Sequence, residues 1–310
     1  MAGIQTWFQS ADLAGLASAT LIAATPLVLA ALGGLMSERS GVVNIALEGI
    51  MLTSAFAGFT VAFAAHNLAL GLLASIVAGM LIAALHAVLA IEFLVDQIVS
   101  GTVINILAVG LTGVFYRTQQ DVQGAVILPI WNIPVLSSIP VIGPILFQKA
   151  LVTYLMLVLV VVVHVVLFHT VWGLRTRACG EHPLAADTAG VNVKAVRYLN
   201  VIASGALGGL GGAYFTIQQI PQFLPNMTGG RGFIALAAMI FGKWTPFGAF
   251  GASLFFACAD AVAARLQYLG VHVPIQLLGM LPYVLTIVVV AGAMGRAIAP
   301  AAVGRPYRKS

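Results

Sequence analysis

Apolar runs of about 20 residues recur along this 310-residue chain from Leu13 to Ala293, and an aqueous fold has no place for so many of them. A 20-residue α-helix is about 30 Å long, the thickness of a bilayer's hydrocarbon core. Only 7% of the residues are charged, against about 25% in a soluble domain, and 61% are hydrophobic. The mean hydropathy of +1.05 agrees. A transmembrane barrel would alternate apolar and polar residues in segments of about ten, and no such alternation is present. The expected fold class is an all-α polytopic membrane protein, a single transmembrane domain over 1–310.

Breaks at charged residues, Gly, Pro and Asn divide the chain into about nine membrane segments. They are roughly Leu13–Leu35, Val42–Ala65, Leu68–Ile91, Ile98–Tyr116, Ala150–Val171, Tyr198–Ile220, Phe233–Gly242, Phe247–Ala264 and Ile275–Ala293. Basic residues set the orientation. With the polar stretch 173–198 inside, the inner side holds Arg39, Arg175, Arg177, Lys194, Arg197, Lys243, Arg296, Arg305, Arg308 and Lys309. The outer side holds Arg117, Lys149, Arg231 and Arg265. Ten against four places the N-terminus outside and the C-terminus in the cytoplasm. The net charge of +5 is then a topology signal, and no nucleic-acid partner is expected. The first 15 residues contain no Lys or Arg, so no cleavable signal peptide is expected either.

Two segments are irregular. Between Arg117 and Lys149 an apolar stretch is punctuated by Pro129, Pro134, Pro140 and Pro144. Four prolines forbid a regular spanning helix, and the segment 117–149 reads as an external element packed on the bundle. Phe233–Gly242 covers only about half of the hydrocarbon core and reads as a broken or re-entrant element. Gly41-Val-Val-Asn-Ile-Ala-Leu47 and Arg231-Gly-Phe-Ile-Ala-Leu236 share an Ile-Ala-Leu run after a glycine, each opening a helix. In so apolar a chain, chance explains three matching residues at least as well as duplication does.

Enzymatic chemistry is missing. The Gly242-Lys243 pair lacks the other P-loop residues, because Ala237 and Trp244 stand where Gly and Ser/Thr are needed. His164 and His169 are five apart, about 140° around a helix, which argues against a shared metal. Cys179 and Cys258 belong to different regions and imply no disulfide. No catalytic residue, metal or cofactor is expected.

The polar island Gly173–Tyr198 is where a partner would bind. It carries six charges: Arg175, Arg177, Glu181, Asp187, Lys194 and Arg197. Pro183 suits the first position of a short helix, Ala185, Ala186 and Ala189 follow, and Gly190 is a natural stop. The bland alternative is an ordinary connector.

Leu184-Ala-Ala-Asp-Thr-Ala-Gly190 resembles the Glu-Ala-Ala-x-x-x-Gly loop of ABC importer permeases, where a short coupling helix sits in a groove of the ATPase. Leu184 stands where the general motif has Glu, so this position offers no carboxylate for a salt link. The strings GEHPLAADTAGVNV, SGALGGLGGAYF, SERSGVVNIALEGIMLTSAFAGF and RGFIALAAMIFGKWTPFGAFGA are more specifically similar to permeases for nucleosides and simple sugars. The resemblance runs from about Leu35 to Ala293. Ribose-type permeases usually carry Gly-Gly-x-Ser-x-x-Gly-Gly where this chain has Gly242-Lys-Trp-Thr-Pro-Phe-Gly248, which looks like the nucleoside branch. The resemblance implies a cytoplasmic ABC ATPase, a second permease subunit, related or identical, and an extracytoplasmic solute-binding protein as partners. It also implies residence in the bacterial cytoplasmic membrane. The coupling residues it implies are Glu181, Pro183, Leu184, Ala185, Ala186, Asp187, Ala189 and Gly190.

Polar residues inside apolar spans are the candidates for a substrate path or gate. Glu48 lies about 9 Å in if its span starts at Val42, with Asn44 four residues earlier on the same helical face. A structural strut is the competing role, and a strut that tolerates an amide makes Glu48→Gln nearly silent. Asn105 gives the fourth span a polar face, and Gln218 and Gln219 do so near the outer end of the sixth. Interhelical hydrogen bonding is the alternative for each. Ser204, Gly208 and Gly212 form a small-residue ladder suited to helix packing, with a subunit interface as its other use. Asp260 and Arg265, near the outer end of the eighth span, suit an ion pair or a contact to a binding protein. The rival functional class is a stand-alone secondary transporter or channel for a small polar solute, which usually needs acids or a His relay at mid-membrane.

Overall fold

A computed structural model of the chain describes residues 10–118, 127–268, 280, 284 and 298–308. Its order is α1 (Ser10–Arg39), α2 (Leu47–Ala65), α3 (Leu68–Ala87), α4 (Gln97–Thr118), β1 (Ile130–Asn132), α5 (Ile142–Leu146), β2 (Gln148–Ala150), α6 (Leu151–His169), α7 (Val171–Glu181), α8 (Pro183–Thr188), α9 (Val193–Ala213), α10 (Arg231–Phe241) and α11 (Pro246–Tyr268). Among the described residues six helical stretches are long and apolar enough to cross a membrane: Leu13–Arg39, Leu47–Ala65, Leu68–Glu92, Gln97–Arg117, Leu151–His169 and Pro246–Tyr268. The protein is a polytopic, helical membrane protein. Two antiparallel strands of three residues each, β1 and β2, are its departure from all-α. The expected span Ile275–Ala293, apart from residues 280 and 284, lies outside the described residues.

Burial sorts the helices. α1 is the core, 78% of its apolar window being buried, and Ala24 and Leu27–Leu35 lie within it with almost no exposure. α3 is peripheral, with 22% of its window buried and Leu73, Val77 and Leu81 facing outward. In lipid an apolar face gains nothing by meeting another apolar face, so contact depends on close packing. α9 supplies that closeness from two faces. On one, Gly205 and Gly209 meet Gly79 and the Ser75–Ile76 backbone of α3, tightly enough that a Cβ at Gly209 would lie 2.6 Å from the Ser75 carbonyl oxygen. On the other, Ser204, Gly208 and Gly212 face α2 and its approach, and a Cβ at Gly212 would overlap the Met51 carbonyl. The ladder packs inside the subunit. Beyond Ala213 the helix widens into a π-helical turn, Tyr214–Gln219.

Three boundaries differ from the sequence reading. The second span does not begin at Val42: α1 ends at Arg39, and irregular backbone precedes α2 at Leu47. Gly41 makes the turn with φ at +97°, where Arg197 presses so closely that a Cβ would lie 2.6 Å from its guanidinium. The polar island is also more helical than expected. Val171–Glu181 forms α7, capped by the Thr170 hydroxyl accepting from the Gly173 N–H; its many polar residues had masked it. Finally, the two Ile-Ala-Leu runs do not open equivalent helices. The first ends on Leu47, the opening residue of α2, the second lies inside α10, and Leu47 and Leu236 both flank Gly34 of α1.

The Pro-rich segment, described from residue 127, contains no spanning helix. It forms a small cap in which β1 pairs β2, and α5 sits beside Ser18 of α1. Lys149 Nζ donates to the Pro144 carbonyl at 3.0 Å and to the Ser18 hydroxyl, and burial lowers its pKa from the usual lysine value.

Candidate functional site

Irregular backbone at membrane depth survives only where protein satisfies its polar groups. Around residues 40–49 that work falls to side chains from four helices. Ser37 Oγ donates to the Val42 carbonyl at 2.7 Å. Gln97 Oε1 accepts from the Val43 N–H at 2.7 Å, and His86 Nε2 lies 2.8 Å from the Val43 carbonyl. Asn105 bridges the start of α2: its Nδ2 donates to Ile45 O at 2.9 Å, and its Oδ1 accepts from the Gly49 N–H at 2.7 Å. Asn44 Nδ2 donates to Ser204 Oγ at 2.9 Å, while its Oδ1 is buried without a partner. Asn44 therefore does not share a helical face with Glu48, because it sits in the break.

Glu48, in the first turn of α2, reaches the start of α10. Its Oε1 accepts from the Thr228 hydroxyl at 2.6 Å and the Gly230 N–H at 2.8 Å, and its Oε2 accepts from the Gly232 N–H at 2.6 Å. A helix start leaves four N–H groups without intrahelical partners and carries a partial positive charge. The carboxylate answers both, from a different helix. Gly230 supplies the entry turn at φ +83°. Gly232 lets the carboxylate in: a Cβ there would lie 2.5 Å from the Glu48 nitrogen. At its other end α10 is tied to α1, where Trp244 Nε1 donates to Glu38 at 2.6 Å and Arg39 Nε donates to the Trp244 carbonyl at 2.9 Å. At 11 residues, about 16 Å long, α10 is a half-length helix pinned at both ends to the broken junction of α1 and α2.

The glutamines go elsewhere. Gln218 Nε2 donates to Thr153 Oγ1 of α6 at 2.9 Å, whereas Gln219 is exposed and lines a cavity of about 770 Å³. That cavity lies between the first half of α1, the π-helical turn, the start of α10 and the end of α11, and Arg231, Asp260 and Arg265 also line it.

Beyond the bundle, α7 and α8 form a platform. Leu174 and Leu184 are exposed, as are Glu181, Ala185, Ala189 and Gly190; Pro183 and Asp187 are half-buried. Ala186 points inward, packed with Cys179, Val193, Val196 and Tyr307. The C-terminal segment 298–308 straps this platform down: Ala302 N–H donates to Gly180 O at 2.8 Å and Ala301 N–H to Glu181 Oε2 at 3.1 Å. Arg197 links everything at this end. It donates from Nε to Ser40 O and from Nη1 to Arg305 O, both at 3.1 Å, and lies over the Tyr307 ring. Burial pushes the Cys179 thiol up to about 11, with Arg197 pulling the other way.

Sequence reasoning singled out Asn44, Glu48 and Asn105 as path candidates and Ser204 as a packing residue; the structure brings the four to one region, together with Gln97, His86, Thr228 and the Glu38–Trp244 bond, which the sequence reading missed. A histidine in the apolar run before Ile91 was the available signal. His164 and His169 also come closer than their spacing implied, with ring centroids 5.5 Å apart, yet no group of three metal-ligating residues occurs among the described residues.

The model of a family described as "Branched-chain amino acid transport system / permease component" matches residues 16–290. The chain belongs to this permease family. Among its relatives, the guanosine ABC transporter permease protein NupQ of Bacillus subtilis is 44% identical over 307 residues, covering 94% of this chain and 95% of that one. The nucleoside ABC transporter permease protein NupC of Lactococcus lactis is 44% identical over 303 residues, with the same coverage. A candidate glucose ABC transporter permease protein of Haloferax volcanii, TsgC13, is 37% identical over 307 residues, covering 91% and 92%. No solved structure matches the chain. The permease is a multi-pass integral membrane protein and not an enzyme.

Proposed function

We infer that this permease forms the translocation path for nucleosides in an ABC importer, with ATP hydrolysed by a separate subunit. The observation that carries the substrate assignment is the 44% identity, over nearly the full chain, to permeases named for guanosine and for nucleosides. The 37% identical relative named for glucose keeps simple sugars as the second reading. The partners are a cytoplasmic ATPase, a second permease subunit and an external solute-binding protein.

The platform of α7 and α8 is the ATPase docking face in this reading. Leu174, Leu184 and Ala185 offer apolar surface to a groove, while the C-terminal strap and Arg197 join the platform to Ser40 and Gly41. Movement imposed on α8 thus reaches the break that positions Glu48 and α10. Nine membrane segments, with the N-terminus outside and the C-terminus inside a bacterial cytoplasmic membrane, fit this use. The platform then faces the cytoplasm, and the β1–β2 cap faces out.

The deciding experiment is uptake of labelled nucleosides and pentoses by a strain lacking this chain, with and without its reintroduction. Restored nucleoside uptake that depends on the partner ATPase supports the reading. Restored pentose uptake alone transfers it to sugars. Uptake that persists without any ATPase would make the chain a secondary transporter.

A further inference from the structure

The 770 Å³ cavity has the size of a small-molecule site and sets charged and polar groups into a largely apolar wall. Its wall is otherwise formed by small and apolar residues of α1 and α11. Asp260 of α11 enters it half-buried, and among the described residues no hydrogen bond or direct ion pair takes up its carboxylate. Arg231, at the first position of α10, lies within electrostatic reach of Asp260 but outside ion-pair distance. Its guanidinium lies over the Phe215 ring, 5.5 Å from the centroid. Arg265, Tyr214, Gln219 and Tyr268 complete the polar lining. Charged groups are costly in a membrane segment, and Asp260 and Arg231, which share this cavity beyond ion-pair distance of each other, offer a guest hydrogen-bonding groups that are not spent on one another.

The nature of that guest follows from what is already occupied. The start of α10, beside the cavity, would ordinarily attract an anion. Glu48 fills that position, accepting from Gly230 and Gly232. A phosphate arriving here finds the helix end taken by Glu48 and the Asp260 carboxylate sharing the cavity with Arg231 and Arg265. An uncharged solute with hydroxyls at one end and a flat, acceptor-bearing ring at the other fits better. Asp260 could accept from vicinal hydroxyls, Arg231 and Gln219 could donate to ring acceptors, and the guanidinium and tyrosine rings offer flat surfaces for stacking.

We propose that Asp260 and Arg231 form a recognition site of this permease for an uncharged nucleoside, with Asp260 binding the ribose hydroxyls and Arg231 the base. This rests on the nucleoside-importer reading and assigns it a place in the chain.

The test combines a substrate deletion with a side-chain deletion. Uptake of labelled adenosine and of 2′,3′-dideoxyadenosine is measured in vesicles holding the complete importer, wild type or Asp260→Ala, with the same binding protein in every arm. Selection by the binding protein is common to all arms, so a change in the adenosine-to-dideoxyadenosine ratio of kcat/KM reads this chain alone. The expected result is a wild-type preference for adenosine that falls at least tenfold in Asp260→Ala and partly returns in Asp260→Asn, with Arg231→Ala leaving the ratio intact while raising KM for both solutes. Adenosine 5′-monophosphate should not compete. An unchanged ratio in an assembled Asp260→Ala importer overturns the proposal and leaves the importer reading standing. A wild-type importer that takes up pentoses but no nucleoside overturns both. If Asp260→Ala does not assemble, the ratio in Asp260→Asn decides, and no change there counts against the site.

Discussion

Replacing Glu48 measures how much of this architecture hangs on a single carboxylate. Three donors converge on it: the Thr228 hydroxyl and the Gly230 and Gly232 N–H groups, with Thr228 fully buried and Glu48 5% exposed. Glu48→Leu removes every acceptor, and each buried donor left without a partner costs about 1–3 kcal/mol. If the three add, the loss is roughly 3–9 kcal/mol, comparable with the whole stability of many domains at about 5–15 kcal/mol. Glu48→Gln is informative because the amide has one acceptor oxygen where the carboxylate has two. Whichever way it flips, its NH2 group confronts a backbone N–H, of Gly232 in one orientation and of Gly230 in the other. One bond is lost, about 1–3 kcal/mol, so the sequence-based expectation of a nearly silent Gln does not survive the geometry. The assay is the yield of assembled importer from detergent extracts and its half-life on heating, with uptake measured on what assembles. The order wild type, Gln, Leu is expected in both yield and half-life. A Gln variant as stable as wild type, or a Leu variant that assembles normally, would refute the capping role. Normal stability with altered uptake in both variants would instead place Glu48 on the solute's route.

Other outcomes follow from the same coordinates. Leu184→Cys, at a position 58% exposed, should label with an impermeant maleimide only from the cytoplasmic side and crosslink to the ATPase, whereas Ala186→Cys, 5% exposed, should label poorly from either side; labelling of residue 184 in intact cells refutes the orientation. Arg197→Ala removes both carbonyl contacts and the stack on Tyr307, so trypsin should cleave after Arg308 faster than in wild type, as read by mass spectrometry; equal rates would show that the strap holds without it. Cys179 should resist alkylation in the folded protein well beyond pH 9, because burial holds its thiol near 11 against an ordinary 9.0. The folded state then retains a proton that the unfolded state gives up, so this group's contribution to stability falls as pH rises from about 9 to about 11. Rapid native-state labelling at pH 8.5 would contradict that burial.

The sequence by itself determined the class of fold, the half-length element and the short helix α8 of the platform. Apolar runs of bilayer length leave helices as the economical way to satisfy their backbone, and a ten-residue run between Arg231-Gly232 and Lys243 is too short to cross. Pro183 and Gly190 bracket α8 through local backbone preference alone. The break at residues 40–46 was not legible, because Val42, Val43, Ile45 and Ala46 are as apolar as any helix. What stops the helix there is distant: Gln97, His86 and Asn105 satisfy the freed backbone groups, and Arg197 packs against Gly41. Glu48 was visible as an acid in a span, yet its task depended on where the start of α10 lies, 180 residues later in the chain. Hydropathy reports the solvent a segment needs. Which hydrogen-bonding groups meet is set by packing, and no local pattern encodes that.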